Sequence, residues 1–207
     1  MTDATAERGA GATARQPSVW NIPNALTVSR LVLVVPFVWL LLYDDGDSTA
    51  ARIGAGLVFV LASVTDFVDG DLARRRDLVT SFGKIADPIA DKALTGAALV
   101  CLSILGELPW WVTVVILVRE IGVTLLRFWV IRDGVIPASR GGKVKTALQL
   151  FAILLYLLPL TGPGAAVRAA VMGVAVVVTL VTGLDYVVRA MRVRSDARAR
   201  NATRSAQ

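Results

Sequence analysis

The sequence contains no histidine and a single cysteine, Cys101, among its 207 residues. The absence of histidine removes the commonest general base and the usual zinc ligand. One cysteine cannot form a disulfide within the chain. Because Cys101 lies inside an apolar run, we expect a buried, unreactive thiol. Acid–base or metal chemistry in this chain must therefore rely on carboxylates and other oxygen ligands.

Charged residues make up only 18 % of the chain and are sparse in six long apolar runs. The runs cover residues 25–43, 52–65, 85–105, 110–131, 147–160 and 165–188. Each is close to the roughly 20 residues that cross a bilayer core, or reaches that length with a flanking motif. A soluble bundle would need a polar stripe on each helix, and VLVVPFVWLLLY and VMGVAVVVTLVTG have none. The sequence therefore predicts an all-α integral membrane protein with six transmembrane helices.

The segments outside these runs suggest one membrane domain between two tails. Mostly polar residues precede the first run, and no small-x-small cleavage site follows it before the acidic turn DDGD, so we expect a retained span and no signal peptide. Residues 1–18 and 194–207 are expected to be disordered cytoplasmic tails. No long polar linker interrupts residues 19–193, which we expect to form one domain. Its first segment, SVWNIPNALTVSR, has the composition of a short N-terminal interfacial helix.

Lysine and arginine are distributed unevenly between the two sets of connections. If residues 1–24 are cytoplasmic, most of these cations lie on the inner side, and the outer turns contain only Arg52 and Arg168. This positive-inside pattern predicts a plasma-membrane protein with both termini and the acidic motif on the cytoplasmic side. The net charge of +6 then reflects topology and attraction to anionic membrane lipids. Nucleic acid is a poor alternative partner, because the basic residues flank the runs and lack interleaved aromatic residues.

The stretch DFVDGDLARRRDLVTSFGKIADPIAD, residues 66–91, contains two sets of aspartates and very small residues at helical spacing. The first set is Asp66, Asp69, Gly70 and Ala73, and the second is Gly83, Asp87 and Asp91. Spacings of three, four and seven residues in the first set, and of four and eight in the second, put each set on one helix face. A charge at the middle of a membrane helix costs about 2.5–3.5 kcal/mol, so such a cluster indicates a functional site.

Two facing carboxylate stripes repel each other unless cations lie between them. Oxygen ligands without histidine or cysteine favour Mg²⁺ or Mn²⁺ over zinc, and such ions are commonly shared with substrate phosphates. The small residues would leave room for a base or ribose, and Arg74 would pair with phosphate. The alternative is that the aspartates line an aqueous vestibule or pair with nearby cations. We prefer that alternative for Asp71 and Asp77, which lie off the two faces.

At every fixed position, the pattern Asp66-x2-Asp69-Gly70-x2-Ala73-Arg74-x8-Gly83-x3-Asp87-x3-Asp91 resembles the signature of the CDP-alcohol phosphatidyltransferase family. The resemblance implies a six-helix membrane enzyme, usually a homodimer, that displaces CMP from a CDP-linked lipid with an alcohol acceptor. It implies metal binding by the first three aspartates, and a general base at Asp91 that also touches metal. Contacts with the CDP moiety are implied for Gly70, Ala73, Arg74 and Gly83.

Three further stretches bear on the acceptor: NIPNALTVSR (21–30), REIGVTLLRFW (119–129) and GGKVKT (141–146). The stretch 119–129 places cations inside an apolar run, where charges are costly and are expected to face the bundle interior. Together the second and third provide a candidate pocket for an anion, made of Arg119, Arg127, Lys143 and Lys145. The alternative is that the lysines extend to the interface and Glu120 forms an ion pair with Arg119 or Arg127.

The same stretches are similar to those of phosphatidylglycerophosphate synthases of that family over most of residues 20–160. This similarity implies CDP-diacylglycerol as donor and sn-glycerol 3-phosphate as the phosphorylated polyol acceptor. It also implies closure over the donor by Asn24, Thr27 and Arg30, with Thr80 a further candidate. Inositol phosphate, or phosphatidylglycerol giving cardiolipin, are alternative acceptors.

Two other classes of protein fit the sequence less well. A membrane prenyltransferase of the aspartate-rich kind would have aspartate at position 73, which is alanine here, and needs a longer chain. A divalent-cation transporter would leave the glycine, alanine and arginine positions of the motif without a purpose.

Overall fold

The computed structural model describes the backbone of residues 22–75, 81–130 and 140–205, and the side chains of residues 25, 27–65, 89–90, 92–130 and 141–195. These residues form six α-helices and no strand, which confirms the all-α prediction for the described part of the chain. The helices are α1 (Ile22–Leu42), α2 (Thr49–Arg75), α3 (Ser81–Ile104), α4 (Trp110–Val130), α5 (Arg140–Leu157) and α6 (Pro163–Ser205). A 3₁₀ turn, Tyr43–Gly46, joins α1 to α2. Each helix covers most or all of one of the six apolar runs.

Two helix boundaries differ from the sequence-based expectation. Helix α1 begins at Ile22 and continues without a break, so the described part of the expected interfacial segment belongs to α1. Pro23 does not interrupt it, because proline is tolerated in the first turn of a helix. Helix α6 continues to Ser205, so residues 194–205 are helical where disorder was expected. This part of α6 contains neither glycine nor proline, and its alanines and arginines are good helix formers. Residues 1–18 lie outside the described ranges.

The helices pack as two groups of three. Helix α1 packs chiefly against α2 and α3, whereas α6 packs chiefly against α4 and α5, and the groups meet where α2 and α3 contact α4 and α5. One continuous apolar core fills both groups. Phe37 and Phe59 are fully buried in it with ring centroids 5.8 Å apart, and the predicted burial of Cys101 is confirmed.

The outward faces of the helices are also apolar. Large exposed side chains occur on every helix, among them Val35, Leu57, Ile89, Val118, Phe151 and Leu184. Among the described residues, Thr27–Gly46 and Pro163–Ser195 are long and apolar enough to cross a bilayer, with mean hydropathies of 1.6 and 2.1. Shorter apolar helices cover Thr49–Thr65 and Lys92–Ile104. Apolar side chains on both the inner and outer faces are typical of helices surrounded by lipid.

One end of the bundle is tied together by an ion-pair network, here named the Glu107 cluster: Glu107, Arg52 and Arg168. Glu107 Oε2 accepts hydrogen bonds from Arg52 Nη2 at 3.0 Å and Arg168 Nη1 at 2.8 Å, and Arg52 Nη1 donates to Oε1. Arg52 Nη2 also donates to the Tyr156 carbonyl at 2.7 Å, and the Arg168 guanidinium lies 4.9 Å from the Tyr156 ring centre. The cluster thus joins the starts of α2 and α6, the turn after α3 and the end of α5. The acidic motif, which follows the middle of α2, lies towards the opposite end.

Candidate functional site

The backbone places the four motif aspartates on two consecutive, contacting helices. Asp66 and Asp69 lie in the second half of α2, and Asp87 and Asp91 lie in the first half of α3. The helical spacing expected from the sequence is therefore present. Their side chains are outside the described set.

Helical register relates these aspartates to residues whose burial is described. On α2, Asp66 and Asp69 continue the positions of three fully buried side chains at steps of four and three residues: Ala55, Phe59 and Ala62. On α3, Asp87 and Asp91 are followed at the same steps by buried Leu94 and Ala98. In both helices, the aspartates thus occupy positions in line with the side chains that are buried in the core one or two turns away.

The donor set at these positions fits a hard divalent cation. It offers carboxylate oxygens only, from two neighbouring helices, and Mg²⁺ and Mn²⁺ prefer such ligands. Of the other motif positions, Gly70, Ala73 and Arg74 lie in the last turns of α2, and Gly83 lies in the first turn of α3. Asn24 lies in the first turn of α1. The side chains at these five positions are outside the described set, and Thr80 is outside the described residues altogether.

Helix α1 contributes two buried polar side chains at the same end of the bundle. Thr27 and Arg30 are three residues apart, hence on one face of the helix, and both are almost completely buried. Because α1 packs on α2 and α3, this face adds a cation to the interior of the helix group that contains the acidic motif. Burying an arginine is costly unless it makes polar contacts, and Arg30 does make at least one.

A second group of charged side chains is here named the Glu120 cluster: Glu120, Lys92, Arg119 and Lys145. The Glu120 carboxylate accepts from Lys92 Nζ at 2.7 Å through Oε2, and from Arg119 Nη1 at 3.0 Å and Lys145 Nζ through Oε1. Glu120 and Lys145 are both buried. One carboxylate from α4 therefore gathers cations from α3, α4 and α5.

Contacts with α6 fix the position of Arg119 in this cluster. Its Nε donates to the Thr179 carbonyl at 3.2 Å and its Nη2 donates to Thr182 Oγ1 at 3.1 Å. Gly183 makes this approach possible, because a Cβ at that position would lie 3.0 Å from Arg119 Cγ. The small residue on α6 thus allows the arginine to lie flat between two helices.

The structure separates the four cations that the sequence grouped as one anion pocket. Arg119 and Lys145 meet at Glu120, so the expected Arg119–Glu120 ion pair is present and Lys145 does not extend to solvent. Arg127 is exposed, and its guanidinium lies 5.9 Å from the Tyr186 ring centre on α6. Lys143 is exposed as well.

Sequence reasoning considered Lys92 only as one of the cations that could pair with the aspartates, and Glu120 only as an ion-pair partner. A signal for Lys92 was available, because it is a cation inside an apolar run, directly after Asp91. Lys92 contacts Glu120, which also binds Lys145, only because α3, α4 and α5 pack together. The sequence does not specify this packing.

Comparison with known proteins identifies the family. The family model described as CDP-alcohol phosphatidyltransferase matches residues 20–181. A Mycobacterium tuberculosis protein named "Probable phosphatidylglycerophosphate synthase" is 51 % identical over 188 residues, covering 91 % of this chain and 90 % of the relative. Two proteins named "CDP-diacylglycerol--glycerol-3-phosphate 3-phosphatidyltransferase" are also similar. The one from Rickettsia typhi is 42 % identical over 80 % of this chain and 94 % of its own length. The one from Bacillus subtilis is 38 % identical over 81 % of this chain and 94 % of its own length. The chain is thus an enzyme that belongs to the CDP-alcohol phosphatidyltransferase family.

Proposed function

We propose that the protein transfers a phosphatidyl group from CDP-diacylglycerol to sn-glycerol 3-phosphate, releasing CMP and forming phosphatidylglycerophosphate. The names of the similar proteins support this reaction. The observation that carries the choice of acceptor is the Glu120 cluster, in which three cations surround one buried carboxylate. Arg119 and Lys145 offer guanidinium and ammonium donors inside the bundle, and a phosphorylated acceptor supplies an anion for them.

The four motif aspartates would hold two divalent ions, Mg²⁺ or Mn²⁺, in a two-metal site. When bound, these ions neutralise the pyrophosphate of the donor and stabilise the charge that develops on the departing CMP. The residues that would contact the CDP lipid are Asn24, Thr27, Arg30, Gly70, Ala73, Arg74, Thr80 and Gly83. Among these, the glycines and Ala73 leave space for the base or ribose, and Arg74 pairs with phosphate.

Asp91 would act as the general base. Its carboxylate accepts the proton of the acceptor hydroxyl, and the hydroxyl oxygen forms a bond to the phosphorus that bears diacylglycerol. The bond between that phosphorus and the CMP oxygen breaks, and CMP leaves with the electron pair. The proton stays on Asp91 until it is passed to solvent.

The acceptor phosphate would be bound by cations of α4 and α5: Arg119, Arg127, Lys143 and Lys145. Arg119 and Lys145 already lie together in the Glu120 cluster. The exposed side chains of Arg127 and Lys143 would approach from the end of the bundle that contains the acidic motif. An inositol phosphate offers the same phosphomonoester and is the alternative acceptor.

The protein would lie in the plasma membrane as a homodimer, with six transmembrane helices in each subunit. Both termini and the site would be cytoplasmic, since lysine and arginine concentrate on that side. The exposed apolar residues on all six helices support a lipid environment.

Replacing Asp91 by Asn tests the mechanism. The Asp91→Asn variant should lose turnover with sn-glycerol 3-phosphate while keeping much of its binding of CDP-diacylglycerol, because asparagine cannot accept the proton. Asp71→Asn is the matched control, since it removes a carboxylate that lies off the two faces, and it should retain activity. Full turnover by Asp91→Asn would rule out this residue as the base, and equal losses in both variants would contradict the assignment of the faces.

A further inference from the structure

Helix α5 buries an amide oxygen that has no hydrogen-bond partner. The side chain of Gln149 is only 3 % exposed, and its Oε1 atom is enclosed by protein without a donor to pair with. Buried polar groups are nearly always hydrogen-bonded, because leaving one unpaired destabilises the fold. In a chain with membrane-spanning helices, an unpaired polar side chain inside the bundle indicates a functional site. Gln149 therefore marks a place where a ligand supplies the missing donor.

The position of Gln149 connects it to the Glu120 cluster. The buried stripe of α5 begins with Lys145, which belongs to that cluster, and continues past Gln149 to Ile153 and Tyr156 in the apolar core. Four residues of helix separate Lys145 from Gln149, so both lie on one face, about 6 Å apart along the helix axis. Gln149 thus lies at the boundary between the charged cluster and the apolar core.

A second unpaired polar atom borders the cluster, but it can be paired within its own helix. Thr179 Oγ1 on α6 is fully buried without a partner, and the carbonyl of the same residue accepts from Arg119. A threonine hydroxyl can rotate to donate to a carbonyl one turn earlier, as Thr182 does to Val178 at 2.7 Å. The Gln149 oxygen only accepts, and the N–H groups inside a helix are already bonded to carbonyls. Its donor must come from outside α5.

The acceptor of the proposed reaction offers such a donor. sn-Glycerol 3-phosphate has a phosphate at one end, a terminal hydroxyl at the other and a middle hydroxyl between them. The terminal hydroxyl is the less hindered nucleophile, so the middle hydroxyl remains available to be bound. A hydroxyl can donate to an amide oxygen and accept from an amide nitrogen. With the phosphate against Arg119 and Lys145, a hydroxyl of the same small molecule lies within reach of a side chain one helical turn away.

We propose that Gln149 binds the middle hydroxyl of the acceptor through its amide and thereby selects a hydroxylated acceptor. The inference rests on the proposed function and adds to it a determinant of specificity for the polyol, separate from the binding of its phosphate. A site built to bind a hydroxyl rejects an analogue that lacks it, because the buried amide is then left unpaired.

The analogue 3-hydroxypropyl phosphate tests this pairing. It keeps the phosphate and the terminal hydroxyl of the acceptor and lacks only the middle hydroxyl. The assay measures CMP release by purified full-length protein in detergent, with each acceptor titrated at saturating CDP-diacylglycerol. Wild type should use sn-glycerol 3-phosphate about fivefold to a hundredfold better in kcat/KM, the usual effect of leaving one buried polar group unpaired.

Gln149→Met replaces the amide by an apolar side chain of the same length. It should lose about fivefold to a hundredfold in kcat/KM with sn-glycerol 3-phosphate and little with the analogue, so that the ratio between the two acceptors approaches one. Gln149→Asn, which keeps an amide on a shorter side chain, should recover part of the preference.

The matched control is Thr113→Val, which removes a buried polar group far from the acidic motif. The Thr113 hydroxyl lies 2.7 Å from Ser103 Oγ and 3.1 Å from the Leu99 carbonyl, so it is already paired within the protein. Its loss should lower stability and leave the ratio between the two acceptors at the wild-type value.

An unchanged ratio in Gln149→Met, through no loss or an equal loss with both acceptors, would overturn this inference while the proposed function stands. Equal use of the two acceptors by wild type would overturn it as well. Retained protection of the buried Cys101 thiol identifies variants that are folded. If wild type releases no CMP with sn-glycerol 3-phosphate, the proposed function fails and the inference fails with it.

Discussion

Replacing Glu107 by Gln should destabilise the bundle far more than loss of an exposed ion pair does. Glu107 lies in the turn between α3 and α4 and accepts hydrogen bonds from Arg52 of α2 and Arg168 of α6. All three side chains are largely buried, with Glu107 only 17 % exposed. A glutamine amide cannot satisfy both guanidinium groups, and two arginines would remain close together without their anion.

The expected loss follows from this burial. Removing one partner of a buried ion pair costs about 3–5 kcal/mol, and partial exposure places Glu107→Gln at about 2–3 kcal/mol. For a chain of this size, each kcal/mol lowers the melting temperature by about 2–4 °C, so we expect a drop of about 4–12 °C.

Cys101 provides the assay, because it is the sole cysteine of the chain and is buried in the core. A thiol-reactive fluorophore therefore reports unfolding in detergent as the temperature rises. The matched control is Asp185→Asn, which breaks the exposed Arg189–Asp185 pair within α6. An exposed pair of this kind contributes about 0.3–0.5 kcal/mol, so its loss should shift the melting temperature by no more than about 2 °C. Equal shifts in the two variants would refute the view that the Glu107 cluster ties the helix ends together.

Three further predictions concern the core, a turn and the metal. Phe59→Ala should destabilise the protein by about 3–5 kcal/mol in the same thiol assay, because its ring packs in the core against Phe37. A loss below about 1 kcal/mol would mean that the site is not tightly packed. Gly46→Ala should cost about 1–3 kcal/mol, because φ is +81° there and a Cβ would lie 2.9 Å from Leu105 Cδ1. An unchanged melting temperature would contradict that turn geometry. Chelation with EDTA should abolish CMP release and Mg²⁺ or Mn²⁺ should restore it, whereas activity that persists in EDTA would contradict a role for metal.

The features that the sequence predicted well are those set by local chain properties. Six apolar runs led to the prediction of six helices, and the described part of the chain contains six, because composition acts within each segment. The aspartate spacing predicted two helical faces, and the backbone of α2 and α3 has the helices that this spacing requires. The low apolar content of residues 194–205 led to an expectation of disorder, but α6 continues to Ser205 through residues that favour helix.

The features that the sequence did not predict depend on contacts between helices. The sequence grouped Arg127 with Arg119 and two lysines in one candidate pocket. In the structure Arg127 has a different neighbour, since its guanidinium lies over the ring of Tyr186 on α6. Lys92 and Lys145 meet on one carboxylate only because three helices converge there, and spacing along a single helix contains no such information.

The most direct test of the central claim is an acceptor panel. Purified protein in detergent is given CDP-diacylglycerol and Mg²⁺ or Mn²⁺, and CMP release is measured with each of four acceptors: sn-glycerol 3-phosphate, inositol phosphate, serine and phosphatidylglycerol. We expect CMP release with sn-glycerol 3-phosphate alone, accompanied by phosphatidylglycerophosphate in equal amount. Release only with another acceptor would contradict the proposed reaction and leave the family membership intact.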